Sequence, residues 1–143
     1  TLITRPRRFG KTLNMNMLER FFSVEYAGRG EVFEGLAIWK EEKYRHLQGS
    51  YPVIFLSFAA IKSSSFPEAK KSLYYLIERL YNRCEFLLNE CGLNEKEKHF
   101  IKNISANMDD YSAVSSLSTL SEFLYRYYGK KVIILLDEYD TPL

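Results

Sequence analysis

The run Val132-Ile133-Ile134-Leu135-Leu136, ended at once by Asp137-Glu138, limits the possible folds more than any other stretch. An unbroken aliphatic run does not alternate polar and apolar positions, so it reads as a strand covered on both faces, as parallel strands are. Lys130-Lys131 stand before it as solvent-facing gatekeepers. A parallel strand cannot pair through a tight hairpin and needs a long crossover, commonly helical. The chain must therefore supply at least one more buried strand and helices to cover the sheet. Val53 to Phe58, opened by Pro52, is apolar enough to be an internal strand.

A second constraint stands at the front. Arg5-Pro6-Arg7-Arg8-Phe9-Gly10-Lys11-Thr12 ends as a phosphate-binding loop of the form GxxxxGK(S/T) ends. In such a loop, consecutive backbone N–H groups and the start of a helix wrap a phosphate chain. Gly10 allows a tight turn against the phosphates, Lys11 is a point charge for the β and γ oxygens, and the Thr12 hydroxyl suits Mg²⁺. Arg5 replaces the first glycine of the pattern, and Pro6 makes the entry extended. Leu2-Ile3-Thr4 reads as the tail of a strand. Leu13, Met17, Leu18, Phe21 and Phe22 give an apolar helical face directly after the loop.

The two stretches support each other. An acidic pair after a strand is, taken alone, more often a solvated loop end. Together with an upstream phosphate loop it matches a Walker B element, in which Asp137 holds the metal and Glu138 polarises the attacking water as a general base. Right-handed crossovers would bring both stretches to the C-terminal edge of a three-layer α/β sheet. Arg7 and Arg8 either offset γ-phosphate charge or pair with an acid such as Asp140 and hold the loop in shape.

RPRRFGKT, the segment Tyr51 to Phe58, and Leu136-Asp137-Glu138-Tyr139-Asp140-Thr141-Pro142 together resemble the predicted AAA-ATPase-like family of bacterial P-loop proteins. In that family an arginine-rich loop lacking the first glycine is usual. The resemblance implies a P-loop NTPase-type parallel sheet with flanking helices, present here as an N-terminal fragment over residues 1–143. It also implies ATP and Mg²⁺ as ligands, with Arg7, Arg8, Phe9, Gly10, Lys11 and Thr12 around the nucleotide, Thr12 and Asp137 at the metal, and Lys11 and Glu138 in catalysis. A sensor strand between the P-loop strand and the Walker B strand is expected beyond these residues, as is a C-terminal nuclease-like effector domain. The chain opens without methionine and stops just past its second motif, so it reads as a piece, expected to turn over little by itself.

Between the motifs, the first helix is expected from Lys11 to Tyr26, stopped by Gly28 and Gly30. Residues 31–50 lack a clean period and read as a connection, with Trp39 packing. Ser65-Phe66-Pro67-Glu68 reads as a capped helix start. The stripe Leu73, Leu76, Ile77, Leu80, Tyr81, Cys84, Leu87, Leu88, Cys91 predicts one helix closed by Gly92. Asn94 with Glu97 starts a shorter helix to about Ala106, and Ala113 to Tyr128 forms another, closed by Gly129. The helical tyrosines are expected to bury their rings with hydroxyls in water.

Charged residues make up 27% of the chain with a net charge of +2. Nucleic-acid binding by the arginine loop alone is thus the weakest reading, because one short basic cluster supplies too few phosphate contacts. Cys84 and Cys91 read as buried thiols of a reducing compartment, and with only His46 and His99 no four-ligand metal set has sensible spacing. No stretch approaches the roughly 18 apolar residues of a membrane span, and a cytoplasmic protein is expected. The main rival to an ATPase is a non-catalytic nucleotide switch, against which the presence of Glu138 argues.

Overall fold

In this computed structural model, which describes residues 10–61, 65–90 and 92–139, strands β1 (Val53–Ser57) and β2 (Ile133–Asp137) pair in parallel. Val53 lies opposite Ile133 and Ser57 opposite Asp137. Ahead of β1 come α1 (Lys11–Phe22), 3₁₀ turns at Val24–Tyr26 and Gly30–Phe33, and the short helices α2 (Ala37–Lys40) and α3 (Glu42–Arg45). The crossover from β1 to β2 carries α4 (Phe66–Arg83), α5 (Leu87–Glu90), α6 (Glu95–Asn103) and α7 (Asp110–Tyr128). The fold is mixed helix and strand, a two-stranded parallel sheet with flanking helices. Leu2-Ile3-Thr4, expected as a further strand, lies outside the described residues.

The core follows the apolar periodicity. Tyr74, Ile77, Leu80 and Tyr81 on α4 meet Leu120, Phe123 and Leu124 on α7 over Ile54 and Leu56 of β1. Each such side chain contributes about 1.5–3 kcal/mol by leaving water. Tyr74 donates to Asp110 Oδ1 at 2.7 Å, and the buried Tyr81 hydroxyl donates to the Ser116 carbonyl at 2.7 Å. Tyr81 therefore departs from the expectation of a wet hydroxyl, because a buried O–H must find an acceptor.

Coverage of β2 also departs from expectation. Ile134 and Leu136 remain 44% and 42% exposed, whereas their register partners Ile54 and Leu56 are buried. Paired residues of adjacent strands share a sheet face. The α4–α7 layer thus covers that face at β1 and, among the described residues, stops short of β2. The opposite face buries Leu135 and Asp137, on the side where α1 meets β2.

Helix boundaries shift where tertiary contacts override local pattern. α1 ends at Phe22, short of Tyr26, because Ser23 bridges to Tyr51, with Tyr51 N–H bonded to the Phe22 carbonyl and Val24 N–H to the Tyr51 carbonyl. α4 ends at Arg83 and does not run on to Cys91. Cys84 N–H bonds to the Tyr81 carbonyl and Leu87 N–H to the Cys84 carbonyl, tight turns that bring Phe86 against Tyr127 and Tyr128. Cys84 therefore lies beyond α4, its thiol pushed up to about 11 chiefly by burial, and Cys91 lies outside the described residues. The Ser65 side chain makes no cap hydrogen bond, although Pro67 does sit in the first turn. Asn94 and Glu97 form the full reciprocal capping box, and α6 ends at Asn103. Gly129 closes α7 in the left-handed conformation.

Gly49 lies where two parts of the connection touch. Its φ is +66°, its N–H bonds to the Phe21 carbonyl, and a Cβ there would come within 2.4 Å of Ala27 Cα. Backbone strain and overlap with main chain act together, so Gly49→Ala is expected to cost about 2 kcal/mol or more. Gly28→Ala, at φ +77° but in open space, should cost only about 1 kcal/mol. Urea unfolding of the two variants compares them directly.

Candidate functional site

Gly10 caps α1 in the left-handed conformation, φ 71° and ψ 23°, and its carbonyl accepts from Asn14 N–H at 2.9 Å. No acidic residue occupies the first turn of α1. The first-turn N–H groups, which have no partner within a helix, and the positive end of the helix dipole thus meet no competing anion from that turn. Lys11 is the first residue of this helix and Thr12 the second.

Thr12 reaches across the molecule. Its Oγ1 donates to Asp137 Oδ2 at 2.8 Å, joining residues 125 positions apart. Asp137 ends β2 and is 5% exposed, and its backbone carbonyl accepts from Phe58 N–H at 2.9 Å. Side chain and main chain of this aspartate are therefore both anchored. Glu138 follows immediately, with φ at 51°.

The donors at this junction are all oxygen, a hydroxyl and a carboxylate, which suits a hard cation and disfavours soft metals. No group of three or more His, Cys, Asp or Glu side chains among the described residues could hold a metal. A cation here would need to complete its shell with water or phosphate oxygens, as Mg²⁺ characteristically does. The helix start and the strand-end carboxylate thus fit an anion and a hard cation at one place.

Of the expected site residues, the structure brings Gly10, Lys11 and Thr12 to the end of β2 that carries Asp137 and Glu138. Arg7, Arg8 and Phe9 lie outside the described residues, as does Asp140, and so does any pairing between them. Sequence reasoning missed Ser57, the register partner of Asp137, and Phe58, whose N–H holds the Asp137 carbonyl. The signal for Ser57 was a polar residue closing an otherwise apolar strand. An open groove of about 490 Å³ runs past Ser57, walled by Ile61, Tyr75 and Arg79, and Thr12 and Asp137 do not line it. Among the described residues, no helix is long and apolar enough to cross a membrane.

The site thus pairs a glycine-capped helix start with a carboxylate at the end of a parallel strand, an arrangement whose chemistry fits phosphate and a hard cation together. The family comparison agrees: residues 1–143 match the family described as Predicted AAA-ATPase, and the chain belongs to that family. Membership supports nucleotide binding in general. No curated protein and no solved structure matches the chain.

Proposed function

We propose that the chain binds MgATP where α1 meets β2, and that the protein hydrolyses it to drive or gate a downstream effector domain. The observation that carries this reading is the hydrogen bond from Thr12 to the buried carboxylate of Asp137, made between the two motifs that the chemistry requires. The first-turn N–H groups of α1 and the Lys11 ammonium bind the phosphate oxygens, with Arg7, Arg8 and Phe9 around the same chain of phosphates. The Thr12 hydroxyl and Asp137 carboxylate would hold a magnesium ion, which would supply positive charge to offset that of the phosphates. Glu138 orients a water and takes its proton as the water oxygen bonds to the γ-phosphorus. The bond from that phosphorus to the bridging oxygen breaks, giving ADP and phosphate. ATP and a nuclease-like effector are assigned by family resemblance.

Titration of the protein with a fluorescent ATP analogue tests the binding step. Micromolar to millimolar affinity is expected, lost on chelation of magnesium and weakened at least about tenfold by Lys11→Ala, which removes a charge-assisted contact. Absence of magnesium-dependent binding by the unaltered protein would exclude this function. Tight binding with no hydrolysis, unchanged by Glu138→Gln, would replace it with the non-catalytic switch.

A further inference from the structure

Left-handed backbone occurs at six glycines, Gly10, Gly28, Gly35, Gly49, Gly92 and Gly129, and among the described non-glycine residues only at Glu138. In this conformation Cβ crowds the following carbonyl oxygen, and glutamate lacks the local hydrogen bonding that lets asparagine and aspartate tolerate it. The turn follows directly on a residue anchored at two points. Asp137 is held by Thr12 through its side chain and by Phe58 through its carbonyl, so a change of direction after β2 begins at Glu138. Were the strand to continue, alternation would send the side chain of residue 138 to the face of Ile134 and Leu136, opposite Asp137. Glycine would make the same turn with less strain. A glutamate in that place supplies a side chain that glycine cannot.

We propose that the left-handed turn at Glu138 is a positioning device. It takes the carboxylate off the alternation of β2 and delivers it to the Thr12–Asp137 side of the sheet, at the expense of stability. The functional half of this inference rests on the hydrolytic reading given above; the backbone half does not. The test therefore has two arms, both on the full-length protein.

In the first arm, Glu138→Gly, Glu138→Asn and Glu138→Ala are melted without nucleotide. The expected order of Tm is Gly above Asn above Ala, with Gly about 3 °C above Ala. Alanine melting at or above glycine, the order for an ordinary extended or helical position, would overturn the strained turn. In the second arm, Glu138→Asp shortens the carboxylate by one methylene while easing the backbone. Its kcat should fall at least about tenfold with KM unchanged, as expected for a group acting only in the transition state. Turnover equal to that of the unaltered protein would overturn the positioning role. Glu138→Gln separates the two ideas: wild-type hydrolysis by that variant would exclude the general base, and with it the functional half, while the glycine–alanine order would still decide the turn.

Discussion

Asp137→Asn is expected to weaken magnesium-dependent nucleotide binding about a hundredfold while leaving the fold as stable as before, or more so. The amide oxygen can still accept from Thr12, so the link between α1 and β2 persists. The lost charge is what a hard cation needs, and loss of an oriented ligand group costs on the order of 10–100-fold even one step removed from the metal. Stability moves the other way, because Asp137 is 5% exposed and a buried charge carries a desolvation cost that its neutral counterpart avoids. Thr12→Val makes the converse change. It leaves a buried carboxylate without its 2.8 Å donor and should destabilise by about 1–3 kcal/mol. Because the two side chains share one hydrogen bond and one proposed cation, the double variant should bind no worse than the poorer single variant. Binding titrations at fixed free magnesium, alongside melts without nucleotide, check both halves. Full additivity of the two binding losses would mean that the residues do not act on one ligand.

The second large effect lies in the core. Leu120, 0% exposed at the centre of α7, is packed in the cluster that joins α7 to α4 and β1. Leu120→Ala removes transfer energy and leaves a cavity in close-packed surroundings, so about 3–4 kcal/mol should be lost. That is a large share of the roughly 5–15 kcal/mol that holds an ordinary domain together. Val114, on the same helix but 85% exposed, gives the control, and Val114→Ala should change stability by no more than about 0.5 kcal/mol. A loss below about 1 kcal/mol for Leu120→Ala in urea unfolding would show that this cluster is not the core.

These expectations draw on features that were unequally legible in the sequence. Caps made by neighbouring residues could be read well: Asn94 with Glu97, and Gly129 after α7, act within a turn of their own helix. The aliphatic run into Asp137 was legible as a parallel strand because both its composition and its ending are local. The break after Arg83 was hidden, since the leucine spacing continues through Cys84, and the contacts that accompany the turn, Phe86 with Tyr127 and Tyr128, lie far along the chain. The early end of α1 depends in the same way on Tyr51, a partner far along the chain. At the candidate site the chemical types were readable, and the meeting of Thr12 with Asp137 followed from topology. The left-handed turn at Glu138 was not readable, because glutamate carries no local preference for positive φ. Ile134 and Leu136 looked buried because hydrophobicity records a residue's preference for cover and not whether a neighbour provides it.

The parallel register of β1 and β2 bears on how this molecule comes to exist. Closing those strands means bringing together segments separated by the entire α4 to α7 crossover, at an entropic cost that grows with the length of the intervening chain. Helices, whose contacts are local, form far faster than such distant pairings. The meeting of Thr12 with Asp137 spans the same crossover and 125 positions of chain, so it too is a long-range closure. A ligand that binds where these two residues meet would select molecules in which the closure is made and stabilise them by mass action.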